Sequence, residues 1–151
     1  MAAIQIRRAR PDDAAMLTRL AHAAKRHWRY PEELMLQWKD ALTVSESSIE
    51  EQQVHAAFDG DECVGFYAIA GDGEMRDLEH MWVAPDRIGT GIGTRLFEHA
   101  LLTLRAEGAR ALSIVSDPFA EGFYLKMGAS RIGEWPSTPE GRRLPLLQYE
   151  L

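Results

Sequence analysis

Three glycines stand at every second position where a predicted strand meets a predicted helix, in the segment VAPDRIGTGIGT from Val83 to Thr94. Glycine allows the backbone to curl and a ligand to approach it closely, and the unpaired N–H groups at a helix start attract anions. The spacing G-x-G-x-G differs from the G-x-G-x-x-G of dinucleotide-binding folds, and the Lys-Ser/Thr of nucleoside triphosphate loops is missing. The segment therefore predicts a backbone site for phosphate groups, with a flexible turn as the structural alternative.

Two side chains capable of acid–base chemistry, Glu79 and His80, lie in the predicted strand that enters this segment. Either one could act as a general base that accepts the proton of a nucleophile. Since neighbouring residues of a strand point to opposite faces, we expect only one of them to face the ligand cleft. The alternatives are core packing for His80 and a solvated strand face for Glu79.

The first third of the chain is predicted to form one strand and three helices. Alternating apolar residues predict a strand near Ile4, and Pro11 followed by two aspartates starts a helix that ends near Arg26. A second helix is predicted from Pro31, and the capping-box pattern TVSE at 43–46 predicts a short third helix. No repeat or linker interrupts the chain, so we expect one domain over residues 1–151.

The remainder changes to the period of strands. The turn dipeptides Asp59-Gly60 and Asp72-Gly73 predict a meander of three antiparallel strands. A helix over Gly91–Glu107, a short central strand and a second helix over Pro118–Met127 follow. Two more strands end the chain, and Pro145 places the last of them at a sheet edge or marks a bulge near its start.

Composition describes an acidic protein with one cysteine. The 151 residues are 46% hydrophobic and carry a formal net charge of -6, which argues against nucleic acid as a partner. Cys63 alone cannot form an intrachain disulfide or a multi-thiolate zinc site, and no metal site is expected. No apolar run approaches the roughly 18 residues of a membrane span, and no signal peptide is evident. We therefore expect a cytoplasmic protein without a membrane partner.

Two motifs resemble the GNAT superfamily of N-acetyltransferases. VAPDRIGTGIGTRLFEHAL is similar to the family's acyl-coenzyme A binding segment, V-x-P-x-x-R-G-x-G-I-G-x-x-L, and FYLKMGA at 123–129 is similar to its F-Y-x-K-x-G-F. The predicted order of elements agrees with the family over almost the whole chain. The resemblance implies an α/β (α+β) fold with a central twisted, mixed and mostly antiparallel sheet of about seven strands, flanked by helices, with strands four and five splayed apart.

The same resemblance implies an activity. A GNAT enzyme transfers an acetyl group from acetyl-coenzyme A to a primary amine of a small molecule or peptide, by direct attack in a ternary complex. Two alternatives remain open, a non-catalytic acyl-coenzyme A binding sensor or regulatory module and a phosphate-cradling nucleotide enzyme. A homodimer is also left open.

The implied coenzyme site combines the glycine loop, the helix start and the strand before them. Its members are Met81, Trp82, Val83, Arg87, Ile88, Gly89, Thr90, Gly91, Ile92, Gly93, Thr94 and Asp117. Two positions depart from the family, because Ile88 replaces Arg or Gln before the first glycine and Asp117 replaces Asn. Backbone amides do not depend on these side chains, so coenzyme binding is still expected, whereas an ion pair from Arg87 to phosphate is doubtful. Asp117 could instead cap the helix predicted from Pro118.

For the reaction, the resemblance favours Glu79 as the base and Tyr124 as the acid that protonates the leaving thiolate. The ordinary pKa of tyrosine, about 10, exceeds that of a thiol, about 8.5, so this transfer is uphill unless the site lowers its cost or Tyr124 only hydrogen-bonds the sulfur. Substrate contacts are expected from Trp28, Tyr30 and His80. The structural alternatives are packing for Tyr124 and stapling of the first two helices by Trp28 and Tyr30.

Overall fold

The computed structural model describes residues 3–151, which form seven strands and five α-helices. In chain order the elements are β1 (Ile4–Arg8), α1 (Ala14–His27), α2 (Glu32–Gln37), α3 (Glu46–Glu51), β2 (Gln53–Asp59), β3 (Glu62–Ala70), β4 (Met75–Val83), α4 (Ile92–Ala106), β5 (Ala111–Val115), α5 (Glu121–Met127), β6 (Ser130–Pro136) and β7 (Arg143–Glu150). Short 3-10 turns precede α1 and α4.

All seven strands belong to one sheet with the order β1-β2-β3-β4-β5-β7-β6. Every neighbouring pair is antiparallel except β4 and β5, which run parallel and are joined through α4. The predicted meander of β2, β3 and β4 is confirmed, and so is the predicted mixed sheet of about seven strands with flanking helices.

The parallel pair β4 and β5 stays together for only four residues. Met75–Leu78 pairs with Ala111–Ile114, and beyond that point β4 continues to Val83 with hydrogen bonds only to β3. The strand β5 ends at Val115 and is held on its other side by β7. A wedge therefore opens between the two strands, as the resemblance implied, and the described edge of β4 beyond Leu78 has no strand beside it.

Two apolar clusters cover opposite faces of the sheet. Tyr67 and Ile69 of β3 pack with α4 and α5, whereas the alternate residues Phe66 and Ala68 pack with α1, α2 and α3. This division follows from the strand period of two. The helices contribute residues spaced three or four apart, such as Leu96, Ala100, Leu101 and Leu104 on α4.

The described elements differ from the predictions at three places. The chain from Pro118 to Ala120 forms a turn, and α5 begins only at Glu121. The Asp117 side chain accepts the backbone N–H of Phe119 at 2.9 Å, which stabilises this turn instead of a first helical turn. The helix α3 is capped by Ser45, whose Oγ accepts from the Ser48 amide at 3.1 Å, and not by Thr43.

The third difference is the position of Pro145. The last strand, β7, lies inside the sheet between β5 and β6, so the edge placement was wrong, and β6 forms that edge. The carbonyl of Pro145 accepts the Ser116 amide at 3.0 Å, just after β5 ends at Val115. The N–H and C=O of one strand residue point to the same neighbouring strand, so the N–H that proline lacks would point toward Ser116. Because β5 ends at Val115, the missing N–H interrupts no hydrogen bond within the paired part of the two strands.

Gly65 sets the spacing between β3, the end of β4 and the start of α4. A Cβ at this buried position would lie 2.8 Å from the Leu96 side chain and 2.9 Å from the Trp82 carbonyl oxygen. We expect Gly65→Ala to lower the free energy of unfolding by about 1–3 kcal/mol, because the Trp82 backbone cannot yield without moving β4. Urea denaturation followed by circular dichroism measures this change.

The matched control is Gly73→Ala. Gly73 lies in the exposed turn before β4 and a Cβ there would meet nothing within 4 Å, so its substitution should change stability by less than about 0.5 kcal/mol. Equal losses for both variants would contradict the close-packing role of Gly65.

Candidate functional site

A cavity of about 340 Å³ occupies the wedge between β4 and β5. Its walls come from α1, from the end of β4, from the glycine loop and the start of α4, and from the segment between β5 and α5. The lining residues are Ala24, Trp28, Leu78, Glu79, His80, Met81, Trp82, Val83, Arg87, Ile88, Gly89, Gly91, Gly93, Thr94, Ile114, Val115, Ser116, Asp117, Phe119, Ala120, Phe123 and Tyr124. Fourteen of the seventeen predicted site residues are among them, and the other three are Tyr30, Thr90 and Ile92.

The glycine loop forms one end of the cavity. Gly89 and Gly91 have φ angles of 82° and 89°, in the left-handed region where glycine is unstrained, and Gly91 is the N-cap of α4. A Cβ at either glycine would meet nothing within 4 Å, so open space lies beside the backbone. The first amides of the fifteen-residue α4 have no partner in the preceding turn of the helix, and with the helix dipole they make this end suited to an anion.

Three side chains of the predicted loop site make contacts within the protein. The guanidinium of Arg87 lies 2.8 Å from an oxygen of Asp59 and 3.2 Å from one of Glu62, so it holds the loop to the β2–β3 hairpin. Ile92 is 3% exposed and belongs to the apolar core under α4. The side chain of Thr90 donates to the Arg87 carbonyl. These contacts shape the loop and leave its backbone amides as the groups suited to an anion.

A β-bulge places Glu79 and His80 on the same face of β4. Leu78 pairs with Ile69 and His80 pairs with Ala68, so Glu79 is an extra residue without a partner in β3. Leu78 and Met81, three residues apart, both pack against the α4 cluster, and His80 contacts Phe66 of the α1 cluster, so the bulge leaves Glu79 and His80 together between two residues of the opposite face. Both line the cavity. The expectation that only one of them faces the cleft was wrong, because it assumed unbroken alternation along the strand.

The two neighbours have opposite electrostatic surroundings. Partial burial, with a smaller contribution from the nearby Asp77 carboxylate, raises the pKa of Glu79 above its ordinary value. Burial lowers the pKa of His80 to about 4, so its imidazole is neutral at pH 7. The indole N–H of Trp82 donates to Nδ1 of His80 at 3.1 Å. A carboxylate that binds protons more readily than usual thus lies beside an uncharged imidazole.

Tyr124 enters the cavity from α5. Its ring is buried and packs edge-to-face on Phe97 of α4, with centroids 5.7 Å apart. Burial raises the pKa of the Tyr124 hydroxyl above its ordinary value, and the charge of Asp117 raises it further. The hydroxyl therefore stays protonated at neutral pH, when it can donate a hydrogen bond to a group in the cavity.

An aromatic wall of two stacked rings forms another part of the cavity lining. Trp28, just after α1, stacks on Phe119 with ring centroids 5.1 Å apart and planes 9° from parallel. Both rings line the cavity, and Phe119 is 57% exposed. Trp28, which was predicted as a substrate contact, lies at this cavity, and its partner Phe119 comes from a segment more than eighty residues later in the chain.

The carboxylate of Asp117 is the centre of a largely buried polar network. It forms an ion pair with Lys25 of α1, accepts the Tyr30 hydroxyl at 3.1 Å, and lies 4.0 Å from the guanidinium of Arg142. Asp117 contributes to the cavity lining, but its charge is neutralised by protein groups. Tyr30 lies outside the lining and links the first two helices to this network, which agrees with the stapling alternative for that residue.

Trp38 contacts the two cations of the same network. Its indole ring lies under both cations, 4.5 Å from Nζ of Lys25 and 4.5 Å from Cζ of Arg142. Its N–H donates to the Thr138 carbonyl at 2.8 Å. Four segments, namely α1, α2, the β5–α5 segment and the β6–β7 loop, are therefore joined through one cluster.

Comparison with known proteins assigns the chain to a family. A family model for the acetyltransferase (GNAT) domain matches residues 29–137. The chain belongs to this family. The peptidyl-lysine N-acetyltransferase YjaB of Salmonella typhimurium is 38% identical to it over 92 residues, which are 61% of this chain and 59% of that relative. The match therefore spans less than two thirds of the relative's length.

Solved structures share the GNAT fold over nearly the whole chain. A GCN5-related N-acetyltransferase from Rhodopseudomonas palustris has a TM-score of 0.83 at 23% identity, with 100% of this chain and 98% of that protein covered. The PaiA N-acetyltransferase of Thermoplasma acidophilum, solved in complex with coenzyme A, has a TM-score of 0.80 at 16% identity and 99% coverage of both chains. At these identities the likeness concerns the fold.

Two residues of this GNAT domain, Lys25 in the Asp117 network and Phe119 in the aromatic wall, could not be identified from the sequence as parts of the candidate site. Lys25 stands on the apolar face of α1, four residues after Ala21 and eight after Leu17, and a charge at such a position signals a buried partner. Phe119 carried no signal beyond being an aromatic residue after a proline. Within residues 3–151 no cluster of three metal-ligating side chains occurs, and no helix there is long and apolar enough to cross a membrane.

The Asp117 network leads to a prediction about stability. Asp117→Asn leaves Lys25 and Arg142 close together without a counter-ion, and we expect it to lower the free energy of unfolding by about 3–5 kcal/mol. Lys25→Met leaves Asp117 with the Tyr30 hydroxyl and Arg142, so the loss should be smaller by at least about 1 kcal/mol. Urea denaturation of both variants and of the double variant measures the order.

The double variant serves as the control for this pair. Both single changes break the same Lys25–Asp117 ion pair, so the loss of stability in the double variant should be smaller than the sum of the two single losses. Additive losses, or a greater loss for Lys25→Met, would show that Asp117 does not balance both cations.

Proposed function

We propose that this GNAT protein is an acetyl-coenzyme A dependent N-acetyltransferase that acetylates a primary amine of a small molecule or peptide by direct attack in a ternary complex. The observation that carries the proposal is one cavity lined both by the glycine loop, whose amides suit an anion, and by the aromatic wall of Trp28 and Phe119, with Glu79 also in its lining. Both reactants can occupy such a cavity together. We also propose that the protein acts in the cytoplasm as one catalytic domain.

The residues present fit the coenzyme. The amides around Gly89, Gly91 and the start of α4 would hold its pyrophosphate, and open space lies beside both glycines. The apolar residues of the cavity walls suit the uncharged pantetheine arm of the coenzyme. When bound, the coenzyme supplies an acetyl thioester. Backbone donors of Met81–Val83 would stabilise charge on the thioester carbonyl oxygen, since this edge of β4 has no strand beside it.

Glu79 is the proposed base. A primary amine with a pKa near 10 is almost wholly protonated at pH 7, and only its neutral form is a nucleophile. The raised pKa of Glu79 makes the carboxylate a better proton acceptor than an ordinary one, directly or through water. Glu79 would hold one of the two protons that the amine gives up as its nitrogen takes the acetyl group, and the other would pass to solvent; the bound coenzyme would supply the acetyl group and leave with the sulfur of the broken carbon–sulfur bond.

Tyr124 is the proposed donor to the sulfur. Its raised pKa keeps the hydroxyl protonated but makes full proton transfer to a thiolate more unfavourable than for an ordinary tyrosine. Its contribution in this proposal is therefore a hydrogen bond that grows stronger as charge develops on the leaving sulfur. A thiol then forms with a proton from this donor or from solvent.

The central test mixes the protein with acetyl-coenzyme A and a panel of amines and measures free thiol. The panel includes lysine peptides, because the Salmonella relative is a peptidyl-lysine N-acetyltransferase. Thiol release that depends on the amine supports the enzyme. Saturable coenzyme binding without thiol release from any amine would favour a sensor, and thermal stabilisation by ATP or NAD but not by coenzyme A would favour a nucleotide enzyme.

The role of Tyr124 leads to a prediction about rate. We expect Tyr124→Phe to lower kcat about tenfold or more, with little change in coenzyme affinity, because only the developing thiolate loses a partner. Steady-state kinetics and a coenzyme titration measure the two quantities. Tyr149→Phe is the matched control, since Tyr149 also packs edge-to-face on Phe97 at 5.7 Å and does not line the described cavity. An equal loss in both variants would indicate packing alone.

The glycine loop leads to a prediction about affinity. Gly91→Ala adds a methyl group where the loop backbone is expected to contact the coenzyme, and it places a non-glycine residue at a φ of 89°. Coenzyme A affinity should therefore fall at least about tenfold. Isothermal titration measures the affinity. Gly108→Ala is the control at the other end of α4, where φ is 77° and the surroundings are equally open. Its strain should be similar, but coenzyme affinity should be unchanged.

A further inference from the structure

His80 is held in one tautomer by its neighbour in β4. The indole N–H of Trp82 can only donate, and it donates to Nδ1 of His80 at 3.1 Å. The proton of the neutral imidazole must therefore be on Nε2. The ring is further held by Phe66 of β3, whose centroid lies 5.8 Å away. His80 thus presents an N–H group in a fixed direction.

That N–H group is available to a ligand. His80 lines the cavity, and its Nε2 makes no hydrogen bond within residues 3–151. Among residues 3–151, the one buried side-chain nitrogen or oxygen without a hydrogen-bond partner is Nδ1 of His55. Since Nε2 of His80 also has no partner, it is not fully buried. The atom is therefore reachable from the cavity. Because the imidazole is uncharged at pH 7, it is a poor base and a neutral donor.

The neighbouring charges decide what this donor can bind. Glu79 lies on the same face through the bulge, and Asp77 is near enough to raise the pKa of Glu79. An ammonium group is attracted to these carboxylates, whereas a carboxylate of a substrate is repelled by them. An oxygen that accepts from His80 should accordingly be uncharged, as in an amide carbonyl.

We infer that His80 is a specificity-determining residue whose Nε2–H donates a hydrogen bond to an uncharged carbonyl oxygen of the acceptor substrate, while Glu79 receives the amine of the same molecule. This inference rests on the proposed function. The acceptor class is then an amine that carries an amide within reach of both groups, and bare alkylamines and amino carboxylates are poorer substrates. His80 acts by positioning the substrate and takes no proton from the amine.

Substrate preference is the first test. A homologous series of ω-amino amides with one to five methylene groups is compared with alkylamines and ω-amino carboxylates of equal length. At the matching length the amide should exceed both others in kcat/KM by about tenfold. His80→Leu should bring the amide-to-alkylamine ratio close to one, and His80→Gln, which keeps an N–H donor, should retain part of it. A ratio that His80→Leu leaves unchanged would overturn the inference.

The second test needs no catalysis. Nitrogen-15 NMR of the imidazoles, with His80 assigned by its absence in His80→Gln, reports tautomer and charge. We expect His80 to be neutral with the proton on Nε2 from about pH 5.5 to about pH 8, and Trp82→Phe to admit the Nδ1–H tautomer. The matching amide should shift the Nε2 resonance on binding in the presence of coenzyme A.

These results separate the two ideas. A protonated Nδ1 or an imidazolium at pH 7 in the unaltered protein overturns the role of His80 even if the protein acetylates amines. A fixed Nε2–H tautomer with an amide-dependent shift but no thiol release supports the binding role and contradicts only the proposed catalysis.

Discussion

The loss of pairing between β4 and β5 after four residues is the constraint on which the whole site depends. Two parallel strands that stayed together would bury their edges in a continuous ladder and leave no cavity. Here β4 remains bound to β3, while β5 is drawn to the other side by β7. The pairing of β4 with β3 and of β5 with β7 thus keeps the facing edges of β4 and β5 apart, so the opening needs no ligand to maintain it.

The β-bulge at Glu79 adds a second constraint within this wedge. It changes the face on which every later residue of β4 lies, so Met81 and Val83 join the α4 cluster and Trp82 joins the α1 cluster. Without the bulge, Glu79 and His80 would be separated by the sheet. A single inserted residue therefore brings a proton acceptor and a neutral donor to one side, next to the aromatic wall of Trp28 and Phe119.

Most of the fold could be predicted because its signals are local. Turn dipeptides, the change of period and the glycine loop depend on residues near one another in sequence, and all gave correct elements. The errors involve contacts between distant segments. Asp117 meets Lys25 across 92 positions and Arg87 meets Asp59 across 28, and neither pairing has a local pattern. The bulge was also unpredictable, since it depends on the register between β3 and β4 and not on the sequence of β4 alone.

The two apolar clusters on opposite faces of the sheet have a consequence for how such a domain can change over generations. Trp28 of the aromatic wall follows α1, which packs in the cluster on one face of the sheet, whereas Tyr124 and the start of α4 belong to the cluster on the other face. Because the sheet separates these clusters, substitutions in α1 that keep the Lys25–Asp117 ion pair can change the aromatic wall while the cluster under α4 and α5 keeps its packing. The two faces of the sheet can therefore change at different rates during evolution. One conserved face can then be combined with many variants of the other.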